Sequence, residues 1–187
     1  MKKRYLIGIL LVSLALVAAG CGGDDEEAAG GGGNAADRAF LEGMIPHHEG
    51  GVELGKLAAR MAEHDELKEL GNKVDEVQAE EAEQMKQAHE RLFGEPFPEG
   101  EHEMGDDALA KLENADPFDQ VFIDELIPHH QDAIRMAREE IAGGSDDELK
   151  ELAEGIVETQ SKEIEDMNDW REDWYGAPSP AGGVPAE

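Results

Sequence analysis

Two adjacent histidines occur twice in this chain, as His47-His48 and His129-His130, each pair following Ile-Pro. Downstream of each pair come a glutamine, a glutamate and a methionine: Gln78, Glu81 and Met85 in the first case, Gln160, Glu163 and Met167 in the second. A His pair with a carboxylate suits Zn(II) or Cu(II), and imidazole with thioether suits copper, Cu(I) above all. The same residues also suit a metal-free His–Glu hydrogen-bond network that only sets how helices pack. The two pairs stand 82 residues apart, and the rest of the chain shares that spacing.

At an offset of 82, without a gap, residues 37–94 superimpose on residues 119–176 with 19 of 58 positions identical, a tandem repeat. Each copy reads as two helices. In copy two, Phe122, Leu126, Ile127, His130, Ile134, Ala137 and Ile141 recur at three- and four-residue steps on one stripe. Leu149, Leu152, Ile156, Gln160, Glu163, Met167, Trp170 and Trp174 form the next stripe, matched in copy one by Leu67, Leu70, Val74, Gln78, Glu81, Met85 and Leu92. No segment alternates apolar and polar residues as a strand does. Two such hairpins predict an all-α four-helix bundle. A linker at 95–118 carries a short extra helix over 106–114, Trp170 and Trp174 close one end of the bundle, and 177–187 form a loose tail.

Gln78, Glu81, Gln160 and Glu163 interrupt the apolar stripes in mid-helix, where a carboxylate without a partner costs several kcal/mol to bury. Reflection through a turn near residue 64 pairs Glu81 with His47, and reflection through residue 146 pairs Glu163 with His129. Adjacent helical residues point about 100° apart, so both histidines of a pair face the core only if the stripe passes between them. His130 lines up with Ile134 and Ala137, and His129 with Ala133 and Met136, flanking one groove. The expected metal ligands are therefore His47, His48, Glu81 and Met85, with His129, His130, Met136, Glu163 and Met167. Gln78 and Gln160 are expected to orient an imidazole. Pro46 and Pro128 read as prolines inside a helix, which re-aim the His pair that follows, since the apolar period already runs from Phe40 and Phe122; the alternative is that they are first-turn residues of helices starting there. Met44, Met61 and Met104 read as core filler, a reading that Met136 shares. His64, His89 and His102 read as solvent-facing, with His102-Glu103-Met104 an accessory cation site. Copy one has Leu54 in place of Met136, and Gly50-Gly51 in place of Asp132-Ala133, which reads as the loss of a thioether and of some helix stability.

The chain begins with Lys2, Lys3 and Arg4, an apolar run over 5–19, then Gly20-Cys21, the layout of a bacterial lipoprotein signal peptide (1–20). The run is short of the roughly 20 residues that cross a bilayer. The small residues before Cys21 suit lipid attachment there, which gives an extracytoplasmic protein anchored to the cell envelope, with 21–36 a Gly/Ala/Asp/Glu-rich disordered tether. Cys21 is the only cysteine, so no intramolecular disulfide forms. Removal of 1–20 leaves 13 basic residues against 45 acidic, a net charge of −32, which repels nucleic acid and draws cations, although acidity by itself reads as solubility or a saline habitat before a specific cation role. The sequence holds no nucleophile elbow, phosphate loop, dinucleotide fingerprint or Cys-based zinc spacing.

Phe40-Leu41-Glu42-Gly43-Met44-Ile45-Pro46-His47-His48 and Ile127-Pro128-His129-His130-Gln131-Asp132-Ala133-Ile134-Arg135-Met136-Ala137 resemble the family known as domain of unknown function 305. The resemblance covers about residues 37–176. It implies a ferritin-like four-helix bundle, secreted or lipid-anchored, some of whose members are periplasmic copper-handling proteins that take copper or silver through His and Met. The methionine-rich stretches of those members are thin here, against high-capacity storage. The Glu-x-x-His spacing of di-iron ferritins is missing at the mirrored positions, so ferroxidase activity is not implied. The expected function is non-catalytic metal binding that buffers copper, or a similar cation such as zinc, outside the cytoplasm. The alternative is a structural or interaction module with a metal-free His–Glu core. A metal-dependent redox enzyme would need an open coordination position and a substrate cleft as well.

Overall fold

The apolar stripes become helices α1 (Ala35–Met61), α2 (Asp65–Phe93), α3 (Asp106–Glu113), α4 (Phe118–Gly143) and α5 (Asp147–Tyr175). This computed structural model describes residues 32–98 and 106–186. The expected signal peptide, Cys21, most of the tether, His102 and Met104 lie outside the described residues. Among the described residues there is no strand, and no helix is long and apolar enough to cross a membrane. The all-α expectation holds: four long helices form the bundle, and α3 is the short helix expected in the linker.

Local rules set the helix ends. α1 starts two residues inside the expected tether, because the Asn34 side chain accepts from the amides of Ala36 and Asp37 while the Asp37 carboxylate takes the Asn34 amide, a capping box. α2 and α5 end at Gly94 and Gly176, with φ of 75° and 86°, at the same position of the repeat. α1 and α2 cross closely: a Cβ on Gly55 would stand 2.7 Å from the Gly71 carbonyl, and one on Gly71 would stand 2.7 Å from the Gly55 carbonyl. Copy two carries fully buried Ala137 and Ala153 at those positions. Pro46 and Pro128 lie inside α1 and α4, as expected.

Burial divides the core in two. One apolar cluster joins Leu54, Leu57, Leu67, Leu70 and Val74 to Phe122, Leu126, Ile127, Ile164 and Met167, with Trp170 and Trp174 against it. The other joins Phe40, Leu41, Met44, Met85 and Leu92 to Ala133, Ala137, Leu149, Ala153 and Ile156. The start of α1 thus meets the end of α4, and the polar residues of the repeat lie between the clusters.

The ends of the bundle are tied by the first residue of each copy. Asp119, fully buried, accepts from the amides of Glu63 and His64 (2.9 Å each) and from His64 Nδ1 (2.7 Å), so the start of α4 holds the α1–α2 turn. Asp37, also fully buried, accepts from the amides of Ser145 (2.9 Å) and Asp146 (3.1 Å) and from Ser145 Oγ (2.5 Å), so the start of α1 holds the α4–α5 turn. Burial alone would raise the Asp37 pKa, but the Ser145 side chain and the amides of Asn34, Asp146 and Ser145 together hold it at about 2. Glu140 at the end of α4 is 1 % exposed, and burial first, then neighbouring Asp37, pushes its carboxyl up to about 7.

Four expectations are corrected. His89 is buried rather than solvent-facing, because its ring lies edge-on against Phe93 and Phe97 and its Nδ1 donates to the Glu95 carbonyl (3.0 Å). His64 is half-exposed, but it stacks on Trp174 at 3.7 Å while held by Asp119. Residues 177–186 are strapped to the bundle rather than loose: Gln131 donates to the carbonyls of Ala181 and Gly183, Arg138 to those of Pro185 and Ala186, and Asn168 to that of Gly182. Met61 is exposed and fills no core, whereas Met44 is fully buried.

Asp119→Ala strips three donors of one buried acceptor and is expected to destabilise the domain by about 3 kcal/mol in urea denaturation. A cost below about 1 kcal/mol would show that the turn does not need the clamp. The raised Glu140 pKa means that the folded state holds a proton the unfolded state has released, so its contribution is lost as pH rises from the ordinary carboxylate value of 4.5 through about 7. Glu140→Gln is therefore expected to melt progressively higher than wild type as pH goes from 5 to 8; a gap that stays constant overturns this assignment.

Candidate metal centre

The polar residues meet at the waist between the two apolar clusters. His47 on α1 and His129 on α4 face each other across the repeat, ring centroids 3.8 Å apart and planes inclined by 32°. Each has its neighbouring histidine 6.1 Å away, so four imidazoles line up as His48, His47, His129 and His130. His48 and His130 are fully buried. His48 Nε2 donates to Glu81 Oε2 at 2.8 Å, and His130 Nε2 donates to Glu163 Oε2 at 2.9 Å.

The mirror arithmetic finds the height of each carboxylate but not its partner. Glu81 pairs with His48 rather than His47, and Glu163 with His130 rather than His129. Reflection through a turn fixes the position along the axis only. The 100° between neighbouring residues then turns His48 and His130 toward the partner helix of their own hairpin and His47 and His129 toward each other.

Beneath the imidazoles lie the glutamines. Gln78 and Gln160 are 3 % and 2 % exposed, and with Glu81 and Glu163 they line a cavity of about 10 Å³ between α2 and α5, room for about one water. α2 and α5 barely touch, whereas α1 packs along α4, so this seam is the open side of the waist. Gly51 gives the Gln78 amide its place: a Cβ there would fall 1.8 Å from Gln78 Oε1 and 3.1 Å from His129 Cε1. The glycine read from sequence as lost helix stability is thus space for the site.

Much of this polar layer is unpartnered. Nδ1 of His48, His129 and His130, both ring nitrogens of His47, and Oε1 of Gln78 and Gln160 are buried without a hydrogen-bond partner. Burial first, then the neighbouring His48 and His130, lowers the His47 pKa to about 3. The His129 carbonyl region opposes this without bringing a ring nitrogen into hydrogen-bond geometry. Burial and then His47 hold His129 well below the usual imidazole range. Both rings are therefore neutral near pH 7, with lone pairs free, which is the form a metal binds. Glu163 is held below the usual carboxylate range: burial would raise it, but His130 and Lys73 prevail.

The expected thioethers are buried around this layer. Met85 lies one turn beyond Glu81 and Met167 one turn beyond Glu163, both fully buried. Met136 is half-buried, with its sulfur 3.1 Å from where a Cβ on Gly43 would stand, one turn before His47. Met44, read as filler, is fully buried one turn before His48, and the i,i+4 step to a histidine was the signal available for it. Among the described residues, no three His, Cys, Asp or Glu side chains converge on one point as a ready-made metal cage. Asp37 and Asp119, the clamps, were missed at sequence level, although they stand at matching positions 82 apart.

The fold has counterparts. Against solved structures the chain resembles CopM in the Cu(I)-bound form at 36% identity and a TM-score of 0.68, covering 75% of this chain and 98% of that one. It resembles CopM in the Ag-bound form at 36% identity and a TM-score of 0.67, over 75% and 97%. A DUF305 protein from Streptomyces coelicolor shares the fold at 23% identity and a TM-score of 0.68, over 77% and 96%. Comparison with curated proteins finds no match. The family model for the domain of unknown function DUF305 matches residues 25–89 and 95–171. With the repeated Ile-Pro-His-His helices, the paired waist and that match, this chain belongs to the DUF305 family.

Proposed function

We propose that this protein binds a soft monovalent cation, Cu(I) or Ag(I), at the waist of the bundle, and that it buffers copper outside the cytoplasm without catalysing a reaction. The observation that carries the reading is the set of seven buried, unpartnered imidazole and amide atoms there. Each costs about 1–3 kcal/mol left as it is. A metal-free network accounts for the His48–Glu81 and His130–Glu163 pairs but leaves those atoms unexplained.

The donor types choose among cations. Zinc in a structural site takes four N, S or O ligands in a tetrahedron, and no such convergence exists among the described residues. Cu(I) and Ag(I) accept two or three ligands and favour thioether and neutral imidazole. The candidate ligands are His47, His48, Glu81, Met85, His129, His130, Met136, Glu163 and Met167, with Gln78 and Gln160 orienting imidazoles. The likeness to CopM bound to Cu(I) and to Ag supports the same preference. The formal charge of −29 concentrates cations around the domain. The basic, apolar and small-residue layout of 1–20 supports export and attachment of a lipid at Cys21, which would hold the domain at the envelope.

Titration of the purified protein with Ag(I), and with Cu(I) under reducing conditions, against a chromophoric chelator tests the proposal. His47→Phe with His129→Phe keeps ring volume and removes the lone pairs. It is expected to weaken binding by more than about 100-fold, beyond the loss from an outer-shell partner, while the melting temperature holds or rises. Unchanged affinity in that folded variant would falsify the reading. Because the His47 ring is neutral down to about pH 3, protons do not compete for it in mild acid. The ratio of wild-type to His47→Phe affinity is expected to be the same at pH 7 and pH 5; a ratio that falls toward one at pH 5 would mark an ordinary exposed imidazole at position 47 instead.

A further inference from the structure

The two halves of the waist are related by the repeat, but they are not equivalent. Glu163 has both oxygens engaged: Oε2 by His130, and Oε1 by the Lys73 ammonium at 3.0 Å, reaching across from α2. The repeat places Gly155 on α5 where copy one has Lys73, and among the described residues no lysine or arginine forms an ion pair with Glu81. A Cβ on Gly155 meets nothing within 4 Å. Glycine there, at an exposed position in mid-helix, costs about 1 kcal/mol relative to alanine and permits no close approach of chains. Its effect is an opening. The Glu81 side chain is 16% exposed against 6% for Glu163, and Glu81 Oε1 has no cationic partner among the described residues.

The thioethers divide the same way. Met44 precedes His48 by one turn and Met85 follows Glu81 by one turn; both belong to one apolar cluster, and Met136 packs against it. At the other pole, Leu126 stands where Met44 would, and Met167 is the thioether of the second cluster.

We propose that the duplicated waist holds one cation rather than two: Lys73 occupies the copy-two carboxylate, and a soft cation enters past Gly155 to the His48–Glu81 pole, where Met44 and Met85 are at hand. This rests on the metal-binding reading above and fails separately from it. A cation approaching Glu163 meets a positive charge already in contact with that carboxylate. One approaching Glu81 meets an uncompensated carboxylate oxygen and the richer set of sulfurs.

Ag(I) titration of the full chain, with methionine methyl resonances followed by NMR, tests the inference. Wild type is expected to take one equivalent and to shift Met44 and Met85 but not Met167. Lys73→Met is expected to take a second equivalent and to shift Met167. Gly155→Lys installs the missing latch and is expected to weaken binding at least tenfold, with Gly155→Ala binding as wild type does. Two equal equivalents in wild type, a Met167 shift at the first equivalent, or wild-type behaviour in both Lys73→Met and Gly155→Lys would overturn the inequality of the poles. A wild-type protein that binds no Ag(I) at all would remove the metal-binding reading itself.

Discussion

Everything in this bundle is arranged around keeping nitrogen and oxygen atoms buried at the waist without partners. The cost, about 1–3 kcal/mol for each such atom, is a standing force to turn the imidazoles out to water or close the core over them. Two apolar clusters, one on each side of the waist, resist it. The contact between α1 and α4 puts His47 and His129 ring against ring, and neither can swing out without parting those helices.

The ends of the bundle serve the same purpose. Each copy donates one buried aspartate to the hairpin turn of the other, so the hairpins cannot slide apart or change register independently. That reciprocity follows from duplication: one residue, repeated 82 positions on, becomes a pair related by an approximate two-fold axis. The environments of the pair then diverge. Asp119 faces His64, while Asp37 faces Glu140, where copy one has Ala58.

Divergence at the waist follows the same logic. Duplication supplies two His–Glu pairs at nearly identical distances, 2.8 and 2.9 Å. Single changes on neighbouring turns then decide what each pair meets: Lys73 against Gly155, Met44 against Leu126, Leu54 against Met136, Gly51 against Ala133. Long-range attraction by the acidic surface makes no distinction among cations. On the proposed reading, selection would fall to the buried neutral imidazoles and thioethers, where a hard, strongly hydrated ion would lose more than it gained.

The helices, their number and the composition of the waist were legible in the sequence, because apolar periodicity and an ungapped repeat are properties of the chain taken one turn at a time. Gln78, Glu81, Gln160 and Glu163 announced themselves as polar residues on apolar stripes, and the histidine pairs by their recurrence. Which histidine meets which glutamate was not legible: height along a hairpin follows from counting residues, but azimuth depends on how α1 and α4 turn against each other. The clamps at Asp37 and Asp119, the burial of His89, the strap at 177–186 and the reach of Lys73 to Glu163 likewise join residues distant in sequence. Sequence by itself determined what each helix buries; only the packing of helix on helix decided which buried groups find partners and which are left without one, because partnership depends on distances between elements that no local pattern contains.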